Sequence, residues 1–216
     1  MTSVLLIRHG ETAWNVEGRI QGYLDSPLTD LGLTQAEALG ARLAGEALDA
    51  LLASDLGRTR QTAHPITTAT GLSPVFESGL RERNYGAWEG RTFAEIRRDF
   101  PHEYERFQRH DPHAAAPQGE SAVQFQDRIV GALTRLAGTL RGRRIAVVTH
   151  GGVLGVMYRH AMGLGLDAPR TYTIANASIN RLHFDGSSWK IESWGEVAHL
   201  AAEGLDDANA IVPAAR

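Results

Sequence analysis

The chain has 216 residues, a formal net charge of -3 and no cysteine. That length suits one domain with a sizeable core. The missing thiols exclude disulfides, thiolate metal sites and a cysteine nucleophile, and the weakly acidic balance argues against a nucleic-acid partner. No apolar run approaches the roughly 20 residues that cross a bilayer, and the run Val4–Ile7 is too short for a signal-peptide core. The chain therefore reads as soluble and cytoplasmic, with no membrane partner.

In chain order, Val4 to Ile7 reads as a buried strand. Thr29 is a helix cap, followed by apolar positions at Leu33, Ala36, Leu39, Leu43 and Ala47 with helical period. Leu48 to Ser54 is a second strand. The segment after it, "LGRTRQTAHPITTATG", reads as a helix with a kink or break at Pro65 and a stop at Gly71. "SPVFES" is a third strand. Residues 86 to 116 are polar, with a helix expected over Arg91 to Phe100, and make the best candidate for an inserted cap, placed at about 86–118. A long amphipathic helix follows "GES" and ends at Gly142. Strand Ile145 to Val148 and a helix through Met162 come next. A hairpin turning at Asp185-Gly186 closes the pattern, and the tail after Gly204 is expected to be mobile.

Alternating strands and helices predict an α/β/α sandwich with a mostly parallel sheet, as a single domain. In such sheets ligands bind beyond the carboxyl ends of the strands. Two stretches break pattern there. "LLIRHGETAWN" and "IAVVTHGGVLG" each run an apolar strand straight into His-Gly. Arg8, His9 and His150 therefore gather at one edge. "SDLGRTRQTA" puts Arg58 in the first turn of a helix, where anions are favoured. "LRERNYGAWEG" supplies Glu82. Two arginines, two histidines and a carboxylate make an oxyanion pocket with an acid, suited to phosphate.

These motifs in order, with "QGYLDSPLTDLGLTQA", resemble the histidine phosphatase superfamily, also called phosphoglycerate mutase-like, over about residues 4 to 185. The resemblance implies a nucleophile at His9, phosphoryl contacts from Arg8, Arg58 and His150, and a general acid at Glu82. Asn15, Gln21, Gly22 and Gly151 would line the substrate side. The substrate would be a small phosphorylated metabolite. No cofactor or metal is implied, because arginines supply the charge. Elementary chemistry agrees: an attacking imidazole must be neutral, and nearby cations disfavour imidazolium while stabilising the equatorial oxygens.

Other residues carry blander expectations. Glu89 reads as structural and Arg60 as an ion-pair partner. His102, His110 and His113 read as solvated loop residues, and Trp14 and Tyr23, flanking the pocket segment, read equally as substrate contacts or as core or rim packing. The expected activity is metal-independent hydrolysis of phosphate monoesters through a phosphohistidine. A cofactor-dependent phosphoglycerate mutase and a non-catalytic phosphate-binding module are the alternatives. "THGG" and the short insert favour the phosphatase branch. Natural substrate and oligomeric state stay open.

Overall fold

The computed structural model describes residues 1–203; the expectation for the tail after Gly204 lies outside them. Six strands form one sheet in the order β3-β2-β4-β1-β5-β6: β1 (Thr2–Arg8), β2 (Ala50–Ala53), β3 (Pro74–Phe76), β4 (Arg144–Thr149), β5 (Ile179–Phe184) and β6 (Trp189–Glu196). The first four are mutually parallel, and the closing hairpin β5–β6 adds antiparallel on β1. Asp185 makes the hairpin turn by accepting from the Ser187 and Ser188 amides.

The period of two in β1 divides the core. Leu5 and Ile7 pack with Leu39, Leu43, Ala63 and Ile66 under α2 (Asp30–Leu43) and α3 (Gly57–Thr70). Val4 and Leu6 pack with Phe125, Ile129, Leu154 and Met157 under α6 (Ala122–Thr139) and α7 (Gly151–Met162). One face of the sheet thus carries each helix pair, which is the expected three-layer sandwich. Both faces of β1 and β4 are covered, so these strands read as unbroken apolar runs.

Several details differ from expectation. Leu33 is exposed, and α2 ends at Leu43, short of Ala47. Pro65 neither breaks nor ends α3, which continues five residues to Thr70 before Gly71 caps it. Packing against α2 outweighs the lost amide bond. α6 stops at Thr139, and Gly142 (φ 81°) sits in the turn beyond it.

The polar segment after Glu82 folds as two helices, α4 (Phe93–Asp99) and α5 (Pro101–Gln108), where one was expected. They enclose a separate small core of Ile20, Tyr85, Trp88, Ile96 and Ala116, with Phe93, Phe100, Tyr104 and Phe107 against it. Its two ends meet: Ala87 N–H donates to Pro117 O and Glu120 N–H to Asn84 O. A Cβ at Gly86 would lie 2.2 Å from Pro117 O, so only glycine permits this closure. A short helix α1 (Ala13–Glu17), capped by Thr12, follows β1.

Candidate active site

β1 and β4 are neighbours in register, with Arg8 opposite Thr149. His9 N–H donates to Thr149 O, so the two strand tips carry His9 and His150 side by side. Their rings lie edge to face, 5.4 Å between centroids. His9 is 3 % exposed and His150 0 %. Burial, then the Arg58 and Arg8 charges, hold the His9 imidazolium well below the usual imidazole range. Burial and Arg58 lead the same shift at His150.

The protonation pattern of His9 follows from its bond. Nδ1 lies 2.8 Å from Gly10 O, and a carbonyl only accepts. Nδ1 therefore carries the proton, and Nε2 of the neutral ring carries the lone pair. His150 Nε2 bonds Ser54 Oγ at 2.8 Å, and its buried Nδ1 faces no protein partner.

Arg58 is 1 % exposed and tightly held: its terminal nitrogens donate to Leu24 O, Gly22 O and Asp25 Oδ1. Its Nε is buried without a protein acceptor. Burial lowers the Arg58 pKa, and Asp25 and Glu82 oppose that. The start of α3 does not itself face the cleft as an anion site, because Asp25 accepts from the Gly57 and Arg58 amides. Arg8 donates to Ile174 O at 2.6 Å.

Glu82 is buried at the end of a braced loop. Arg128 of α6 donates to the Gly79, Arg81 and Glu82 carbonyls, and Arg81 forks onto Asp55 at 2.6 Å. The Glu82 carboxyl accepts from Arg83 N–H (2.7 Å) and Gly152 N–H (2.9 Å). A Cβ at position 152 would come 2.1 Å from Glu82 Oε1, so glycine lets the acid reach the start of α7.

One cleft brings together Arg8, His9, Asn15, Gln21, Gly22, Arg58, Glu82 and Gly151. His150 stands against His9 beneath it. Every residue expected at the site is thus in one place. Trp14, Tyr85 and Phe93 also line the cleft; Tyr23 instead lies under Arg81 and Arg128. Glu89 takes the amides of Tyr23, Leu24 and Tyr85, the structural part expected of it. Arg60 stacks 3.7 Å over Phe76 and donates to Asp55 O rather than serving the cleft. Among the described residues no group of three or more acidic, histidine or cysteine side chains is placed to hold a metal ion.

Sequence reasoning missed three contributors. Ser54 bonds His150. Asn176 donates to His9 O at 3.0 Å and to Asn15 Oδ1 at 3.4 Å. Tyr85 walls the cleft, and burial pushes the pKa of its hydroxyl up. Ser54 and Tyr85 stand within the motifs "SDLGRTRQTA" and "LRERNYGAWEG", which are the available signals.

Fold and cleft together define a phosphatase enzyme of the α/β/α type. The chain belongs to the histidine phosphatase superfamily, branch 1, whose profile matches residues 4–197. It is 36% identical to the Escherichia coli O1:K1 protein named Probable phosphoglycerate mutase GpmB, over 96% of this chain and 99% of that one. Bacillus stearothermophilus YhfR superposes with a TM-score of 0.85 at 33% identity, covering 93% of this chain and all of that one. The phosphoserine phosphatase of Entamoeba histolytica, solved with 3-phosphoglyceric acid, superposes at 0.83 with 27% identity, over 93% and 100% of the two chains. Among the described residues no helix is long and apolar enough to cross a membrane.

Proposed function

We propose that the protein hydrolyses small phosphate monoesters through a phosphohistidine at His9, in the cytoplasm, as one domain with residues 86–118 as a cap. The single observation that carries this is the pair of neutral, buried imidazoles beside Arg58, with Glu82 in the same cleft.

In the first step His9 Nε2 attacks phosphorus and the bond to the ester oxygen breaks. Glu82, as general acid, gives a proton to the leaving alkoxide. Arg8, Arg58 Nε and His150 Nδ1–H meet the equatorial oxygens as charge spreads over them. In the second step water attacks the phosphohistidine. Glu82 takes the water's proton, the nitrogen–phosphorus bond breaks, and phosphate leaves with His9 restored. Fixed guanidinium groups supply the positive charge, so no step draws on a metal. Asn15, Gln21, Gly22 and Gly151 line the remaining walls.

The name of the Escherichia coli relative favours a second reading, a mutase. A mutase must shield its phosphohistidine from water. Here the paired Arg97 and Arg98 of α4 are exposed, and Arg98 binds Asp99 away from the cleft. The test supplies 3-phosphoglycerate with 2,3-bisphosphoglycerate and follows free phosphate and 2-phosphoglycerate together. Phosphate release far ahead of isomerisation is expected. Rapid isomerisation with little phosphate would establish the mutase.

A further inference from the structure

A second, larger pocket adjoins the catalytic cleft and shares Tyr85 and Gly151 with it. The end of the insert, α7 and the loop after α7 enclose it. Its walls are aromatic and aliphatic: Tyr85, Phe107, Phe125, Val156, Leu166 and Tyr172. Its charges are Arg83, Arg159, Arg170 and Asp111, and Asp111 is already bound by Arg106.

Three features tie this space to the leaving group. First, Glu82 marks the boundary: its carboxyl lines the catalytic cleft and is held by the amide of Gly152, which lines the second cavity. The acid thus stands at the wall between the cleft and the cavity. Second, Arg159 is more than nine-tenths buried and bonds only neutral oxygens, those of Gly155, Ala168 and Tyr172. Its buried Nε has no partner. A buried cation that bonds no carboxylate and keeps an unused donor suits an anion. Third, its guanidinium reaches Gly155 O, three residues along α7 from Gly152. Tyr85 lines both spaces.

We infer that this cavity is a leaving-group subsite for an aromatic body bearing a carboxylate, the ring between Tyr85, Phe107 and Phe125 and the carboxylate on Arg159. Such a body reaches it only if phosphoryl transfer occurs at His9, as proposed above.

The experiment compares kcat/KM for ethyl, 2-phenylethyl and 2-(4-carboxyphenyl)ethyl phosphates. All three release primary alcohols, so the demand on Glu82 is matched. We expect the phenyl group to raise kcat/KM at least about tenfold over ethyl, and the carboxylate to add roughly fivefold more. Ala122→Phe, at the start of α6 in the cavity wall, fills the space and brings the phenylethyl-to-ethyl ratio near one. Leu166→Trp, from the loop after α7, does the same from another wall. Arg159→Gln removes the carboxylate increment and keeps the phenyl increment. Each ratio is taken within one preparation, so loss of folded protein cancels. Turnover of ethyl phosphate with ratios near one in the unaltered enzyme overturns the subsite and leaves the phosphatase intact. Ratios unchanged in both filled variants also overturn it. Turnover of none of the three esters overturns both.

Discussion

The sheet edge and the insert at 86–118 hold their side chains by different means. At the edge, His9, Arg58, Glu82 and His150 are all buried; backbone groups of Gly10, Gly22 and Gly152 hold the first three, and the Ser54 hydroxyl holds His150. The insert is held by a small aromatic core and a fringe of exposed pairs, Arg91–Asp99, Arg106–Asp111 and Arg109–Glu105. Exposed pairs of that kind contribute little each, about 0–1 kcal/mol. Chemistry is therefore lodged where the structure is most over-determined.

Breaking the edge should cost most. Glu82→Gln keeps one of the two acceptors, for the Gly152 or the Arg83 amide, and removes the acid. Alkyl phosphate turnover should fall by about 10²–10⁴-fold, while p-nitrophenyl phosphate, whose leaving group barely needs a proton, should fall far less. Equal losses in kcat for both esters would remove Glu82 from the role of acid. Arg58→Ala comes next. By analogy with one oxyanion-hole donor, it should lower kcat/KM by about 10²–10³-fold for every ester, whatever the leaving group. A loss confined to one ester would place Arg58 with the leaving group instead.

The smallest effect is on stability. Both His9 and His150 have folded pKa values depressed below the unfolded value near 6.5. Below about pH 6.5 the unfolded chain takes up protons that the folded chain refuses, so stability is full above that pH and falls as pH drops toward the folded values. Each histidine should contribute at most about tenfold in the folding constant per pH unit. Urea midpoints measured between pH 7 and 5 should decline, and less steeply in His150→Gln. An unchanged slope in that variant would mean that His150 is charged in the folded protein.

The same contrast governs what the sequence disclosed. β1 and β4 were legible because covered parallel strands are unbroken apolar runs, and His9 and His150 stood out by interrupting them. Asp185-Gly186 announced its hairpin through local turn chemistry. The insert was half-legible. Its polar surface hid the Tyr104–Phe107 stripe, so α5 went unseen. Pro65 misled because the packing of α3 on α2, not local propensity, decided the helix. Ser54 and Asn176 escaped because their parts depend on contacts across 96 and 167 residues of chain, which no local pattern encodes. The loop cradle of Arg58, built from Gly22, Leu24 and Asp25, was invisible for the same reason.

The phosphoenzyme tests the central claim most directly. A phosphate monoester labelled with ³²P is mixed with the enzyme, quenched in alkali during turnover and mapped by peptide. The account predicts label on the peptide holding His9, stable in base, lost in acid and absent from His9→Ala, which should also turn over no ester. Base-labile label on a carboxylate, label on another peptide, or undiminished turnover by His9→Ala would contradict it.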